Sequence, residues 1–208
     1  MKILGLVAGA ALLFVAHSAS AASIQNGSFE TGSVAPGDFT TLGTGSTAID
    51  GWTVSSGTVD YIGTHWPAAD GNRSVDLSGD VPGAISQTVG GLVVGQQYTL
   101  TFSLASNPDG GNDPQAMSVT FGGISSGFAA PKSPFSWAVH TFVFTFTGGA
   151  GDDVLTFAAD GSNTFYGPAL DNVSIAATPI PGAILLFGSA LGGLGFLGYR
   201  RKKQDAAA

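Results

Sequence analysis

Residues 97–105 alternate strictly: Tyr98, Leu100, Phe102 and Leu104 are apolar, while Thr99, Thr101 and Ser103 are polar. A period of two belongs to a strand with one face buried and the other in water. The same alternation returns at Met117, Val119 and Phe121, at Phe142, Phe144 and Phe146 beside threonines, and at Leu155 and Phe157. Shorter strands are predicted at 24–30 (entering a turn), 52–55, 59–62, 73–77, 84–89 and 170–175. Turn signals such as Asp70-Gly71-Asn72 and Pro82-Gly83 separate them. The stretch 31–51 reads as loop throughout. No amphipathic helical period competes between 22 and 178. Eight or more short strands joined by glycine-rich turns predict an all-β fold, an antiparallel β-sandwich with a phenylalanine-rich core. Each fully buried ring contributes about 2–3 kcal/mol.

Two stretches break this pattern. Lys2, the apolar run 3–15 and Ala19-Ser20-Ala21 have the three parts of a secretory signal peptide, cut after Ala21. At the other end, Pro179-Ile180-Pro181-Gly182 precedes the uncharged residues 183–199, then Arg200, Arg201, Lys202 and Lys203. As a helix, 183–199 would span about 25 Å, the short end of what crosses a bilayer. Cationic flanks stay on the cytoplasmic side. The expected organisation is therefore a signal peptide (1–21), a β-sandwich domain (22–178), a C-terminal segment with a transmembrane helix (179–203) and a cytoplasmic tail (204–208).

Charge narrows the choice of partner. The chain has 7 Lys and Arg against 14 Asp and Glu, but five of the cations lie in the end segments. Between 22 and 178 only Arg73 and Lys132 face thirteen carboxylates, a net of 2 − 13 = −11. Such a domain is ill suited to nucleic acid or to an anionic membrane face. It suits a calcium site or a neutral or basic partner. With no cysteine in the chain, disulfides cannot staple the domain.

Several stretches together resemble the choice-of-anchor C domains and, more distantly, other galactose-binding-like jelly rolls. They are Asn26-Gly27-Ser28-Phe29-Glu30, Gly51-Trp52, Asp60-Tyr61-Ile62, Trp66, residues 70–77 and residues 166–173. The resemblance implies a jelly-roll sandwich. It also implies one structural Ca²⁺, because Glu30 and Asp171 stand where sugar-binding members of that fold hold calcium. The alternative is that both carboxylates only accept hydrogen bonds from turns. Residues 179–203 resemble the PEP-CTERM sorting signals in their VPLPA variant, with Ile180 where the name-giving Glu would stand. That resemblance implies processing near Pro181 by an exosortase-type membrane protease. It further implies an inner-membrane-anchored precursor that ends at the cell surface or in an exopolysaccharide matrix. The alternative is an uncut single-pass anchor.

Candidate chemistry is sparse. Trp52, Tyr61, Trp66 and Trp137 are the candidate sugar-stacking rings, with core packing as the alternative for each. Trp66-Pro67 falls in a predicted loop, as an exposed platform would. Asp70, Asn72 and Asp76 form a second oxygen-rich stretch. Gly123-Ile124-Ser125-Ser126-Gly127 matches the nucleophile-elbow spacing, but no helix pattern follows it. No zinc spacing exists and no catalytic residue is predicted. The expected function is a non-enzymatic surface or matrix protein with weak carbohydrate binding. Protein-recognising adhesion is the alternative, and glycoside hydrolysis the reading with least support.

Overall fold

The computed structural model describes residues 21–132, 134–148, 153–161 and 164–178. Ala21 is exposed at the start of this part. Ala19, Pro179, Pro181, Gly182, Arg200, Arg201, Lys202, Lys203 and the predicted helix 183–199 lie outside the described residues. Among the described residues no helix is long and apolar enough to cross a membrane.

Eleven strands occur among the described residues: β1 (Phe39–Gly43), β2 (Thr53–Ser56), β3 (Thr58–Ile62), β4 (Ser74–Asp76), β5 (Ala84–Val89), β6 (Gln97–Ser106), β7 (Gln115–Phe121), β8 (Ile124–Ala130), β9 (Ala138–Thr145), β10 (Asp153–Ala159) and β11 (Pro168–Ala177). They form two antiparallel sheets, ordered β1-β3-β4-β11-β6-β9 and β2-β5-β10-β7-β8. The fold is an all-β sandwich.

The core follows from the alternation. Tyr98, Leu100, Phe102 and Leu104 of β6 all point inward and are buried. In register beside them on β9, Phe144 faces Tyr98 and Phe142 faces Leu100. Rings then meet across the sandwich: Phe121–Phe144 at 4.7 Å and Phe102–Phe157 at 5.4 Å, both edge to face. This is the favoured geometry for aromatic quadrupoles.

Three expectations change. Residues 24–30 form a turn and no strand. The supposed loop 31–51 contains β1, which pairs with β3. Residues 124–127 of the elbow-like stretch belong to β8, which pairs with β7 through a two-residue turn. Both turn residues, Gly122 and Gly123, have positive φ (64° and 75°), as a tight hairpin that matches strand twist requires. Ser125 is thus a strand residue on the outer face and no strained nucleophile.

Candidate functional site

The outer face of the six-stranded sheet carries a second, smaller apolar cluster. Ile62 of β3, Trp66, Ala105 of β6 and Ala169 of β11 are buried there, with Phe135 and Trp137 packed against them. Trp66 is 5 % exposed and its indole N–H donates to Ser74 Oγ at 3.0 Å. Beside it opens a cleft of about 100 Å³, lined by Phe39, Asp60, Ile62, His65, Trp66, Asn107, Asp109, Phe165 and Tyr166. Among the described residues only three aromatic rings are exposed: Phe39 (47 %), Phe165 (57 %) and Tyr166 (38 %). All three line this cleft.

Phe39 begins β1, and a loop holds the other two rings. Phe165 has a φ of 66°, a conformation that costs a bulky residue about 1–2 kcal/mol. Tyr166 lies so close over Gly110 that a Cβ there would come within 2.5 Å of its ring. His65 joins the two loops at the rim: Nδ1 lies 2.9 Å from Asp38 Oδ2, and Nε2 lies 2.7 Å from Asp109 Oδ2. Its ring stands edge-on to Phe39 and Trp66 at 5.5 and 5.2 Å. Burial pulls the imidazole pKa down, but the hydrogen bonds to Asp109 and Asp38 and their charges outweigh it, and the net shift is upward.

Below the rim sits a fully buried polar knot. Asp76 accepts from Asn107 Nδ2 at 2.7 Å and from the amides of Ser78 at 2.7 Å and Gly167 at 3.0 Å. A side chain at Gly167 would collide with this carboxylate, its Cβ 2.4 Å from Oδ1. Burial pushes the Asp76 pKa up to about 7, against the pull of these donors. Asn107 is fixed in turn by Gln115, which accepts its amide at 2.7 Å. Asp60 is the register partner of Asp76 and accepts the Thr41 hydroxyl at 2.6 Å. Its pKa is also raised, first by burial.

The predicted calcium pair is engaged by backbone amides. Glu30 Oε1 accepts the amides of Asn72 and Arg73, both at 2.7 Å. Asp171 Oδ2 accepts those of Ala69 at 2.7 Å and Asp70 at 2.9 Å, and Oδ1 takes its own neighbour Asn172 at 2.6 Å. The two carboxylates therefore clamp one loop, 69–73, from both sides. Glu30 Oε1 and both Asp171 oxygens are thereby engaged by backbone N–H donors. Among the described residues, no group of three or more His, Cys, Asp or Glu side chains is arranged to hold a metal. Burial raises the Asp171 pKa to about 6 despite the three amides. In the second oxygen-rich stretch, Asp70 accepts the Ser28 hydroxyl at 2.6 Å while Asp76 faces the other way into the knot.

The remaining residues of the Asn26–Glu30 motif are structural as well. Asn26, at φ 50°, donates its amide to Thr31 O and Asp50 O at 2.8 and 2.9 Å. A Cβ on Gly27 would stand 1.9 Å from Val173 O. Phe29 is buried against Trp52 at 5.4 Å.

Of the four predicted stacking rings, Trp52 and Tyr61 are core residues of the sandwich, and a ring walled in on both faces offers none to a sugar. Trp66 is buried as well, although its edge reaches the cleft, and this corrects its expected exposed-loop placement. Trp137 is half-buried, and its N–H donates to Pro67 O at 2.9 Å. Phe39, Phe165 and Tyr166 are not among the predicted stacking rings, although Tyr166 opens the 166–173 stretch. The available signal was an aromatic next to turn residues, Gly37-Asp38 before Phe39 and Gly167-Pro168 after Tyr166. A broader hollow of about 440 Å³ lies over β7 and β8, but its outward wall is mainly Ala116, Ser118, Gly127 and Ala129. It offers no exposed ring.

Comparison with known proteins places the fold. An arabinose-bound MgGH51 α-L-arabinofuranosidase superposes with a TM-score of 0.54 at 14 % identity, over 77 % of this chain and 27 % of that one. At that identity the likeness is one of fold alone. TmCBM61 in complex with β-1,4-galactotriose superposes with a TM-score of 0.46 at 16 % identity, over 74 % and 97 % of the two chains. Halomucin of Haloquadratum walsbyi is 35 % identical over 191 residues, which is 87 % of this chain. The chain spans 2 % of that curated relative. Residues 22–176 match the family described as "Protein of unknown function (DUF642)", and the protein belongs to that family.

Proposed function

We propose that this protein is an exported, non-enzymatic surface or matrix module that binds carbohydrate weakly through the cleft on the outer face of the six-stranded sheet. One observation carries the reading: the three exposed aromatic rings among the described residues surround a single cleft that also holds carboxylates and a side-chain amide. An aromatic face meets the apolar C–H face of a sugar ring, while Asp and Asn take its hydroxyls. The segment that this chain shares with halomucin supports a surface or matrix role. The reading extends to the galactose-binding-like jelly roll, the signal peptide and the PEP-CTERM-like tail. An exosortase-type protease would process the precursor at the inner membrane, and exopolysaccharide would be the ligand.

The test is retention of the purified protein on a panel of immobilised polysaccharides, with Phe165→Ala beside the wild type. Retention lost in the variant supports the reading, and no retention on any glycan sinks it. Release of reducing sugar would replace it with a hydrolase. A second reading, adhesion to protein or to itself, draws on β9. This edge strand of the six-stranded sheet presents Val139 and Val143 outward, Val139 at 70 % exposure. Concentration-dependent self-association without glycan binding would favour it.

A further inference from the structure

We propose that the cleft takes one uncharged terminal sugar residue, and that it discriminates against uronic-acid and sulfated residues. This rests on the carbohydrate-binding reading above and narrows it. Size is the first reason. The cleft holds about 100 Å³, well below the roughly 300–1,000 Å³ of sites that engulf a drug-sized ligand. A hollow of that size accepts part of one ring, and the open hollow of about 460 Å³ that shares His65 and Trp66 with it is otherwise lined by Gly63, Thr64, Pro67, Ala68, Gly71 and Asn72, with no exposed ring. The fold closes it on several sides: β1 with Phe39, β3 with Asp60, the His65–Trp66 loop, the Asn107–Asp109 loop and the Phe165–Tyr166 loop.

Charge is the second reason. Asp60 and Asp109 line the cleft, Asp38 stands at the rim, and Asp76 is buried behind Asn107. Among the described residues, no Lys or Arg lines it. Among the described residues lining it, His65 is the only group that can be cationic, and both of its ring nitrogens already face aspartates. A carboxylate or sulfate entering this pocket would meet like charge at short range with no compensating donor, and like charges in a partly desolvated site repel strongly. A neutral sugar meets carboxylates that accept from its hydroxyls, the stronger class of hydrogen bond. Phe165 and Tyr166 supply the flanking rings.

The experiment uses the full chain in a detergent that contains no sugar. Its binding is measured by calorimetry to neutral oligosaccharides and to oligogalacturonate, with single methyl glycosides as competitors. Expected are binding of neutral oligosaccharides, displacement by a methyl glycoside matching their terminal residue, and at least about tenfold weaker binding of the uronate, the discrimination that one repelled charge supplies. Asp60→Asn is expected to weaken neutral binding by about tenfold, the loss of one charge-assisted bond, and to narrow the gap to the uronate. Equal or tighter uronate binding overturns the proposal and leaves the carbohydrate reading standing. So does neutral binding that grows with chain length and resists single glycosides. Absence of binding to every glycan overturns both.

Discussion

His65 and Asp109, 44 residues apart in the chain, meet at 2.7 Å on the rim of the cleft. The ring's other nitrogen holds Asp38, so one imidazole ties the loop before β1 to the loop after β6. Its pKa is raised in the folded protein. The folded state therefore binds the His65 proton more tightly than the unfolded chain. The contribution of this tie is fully present below about pH 6.5, the ordinary histidine value, and fades as pH rises through the raised folded value. The difference in melting temperature between wild type and His65→Ala should therefore shrink from about pH 6 to about pH 9. A difference that grows with pH would contradict this.

Asp76 should show an unusual slope for a carboxylate. Its pKa rises on folding from 3.8 to about 7. Its contribution is present below the unfolded value and is lost as pH climbs towards 7, because the folded state holds the proton longer. Asp76→Asn removes this titration but turns an amide group towards N–H donors, at a cost of about 1–3 kcal/mol. Urea unfolding should show a less stable variant, with a gap to wild type that narrows between about pH 4 and pH 7.

The clamp on residues 69–73 predicts how the protein responds to metal removal. Glu30→Ala strands the amides of Asn72 and Arg73, at about 1–3 kcal/mol for each unsatisfied group. For a domain of this size that lowers the melting temperature by several degrees. Chelator and added Ca²⁺ should leave the wild-type melting temperature unchanged. A calcium-dependent rise that vanishes in Glu30→Ala would show the carboxylates releasing their amides to a cation.

Phe165 separates stability from binding. Its left-handed backbone (φ 66°) suits glycine, and its ring is mostly exposed. Phe165→Gly should leave the melting temperature unchanged or raise it, since relief of about 1 kcal/mol of backbone strain offsets a small loss of packing. Retention on glycan should disappear in the same variant. Trp66→Ala is a poor probe, because removing a buried indole costs about 3–5 kcal/mol and disturbs the fold.

Strands with a strong contrast between faces were legible in the sequence. In β6 and β9 large apolar side chains alternate with Thr and Ser, and both are predicted close to their true positions. β8 was not legible, because Ser126 and Ala130 flank its one inward ring, Phe128, while Ile124 at its start is exposed. β1 has a single buried residue, Leu42, and so no period to read. The cleft was hidden for another reason. Its residues lie between 39 and 166, and only the sheet order brings β1, β3 and the loops flanking β6 and β11 together. Trp66 looked like a loop platform because a second cluster outside the sandwich leaves no periodic trace.

The place of β11 decides when this domain becomes a domain. It lies between β4 and β6 and is the sole link between β1-β3-β4 and β6-β9 within their sheet. It also brings Asp171 to a loop about a hundred residues earlier and the Val173 amide to Gly27 O at 2.9 Å. During synthesis, neither half of that sheet has its neighbour until residues 168–177 have emerged. Contacts of such long sequence separation form slowly. Until β11 arrives, the chain should remain open and threadable.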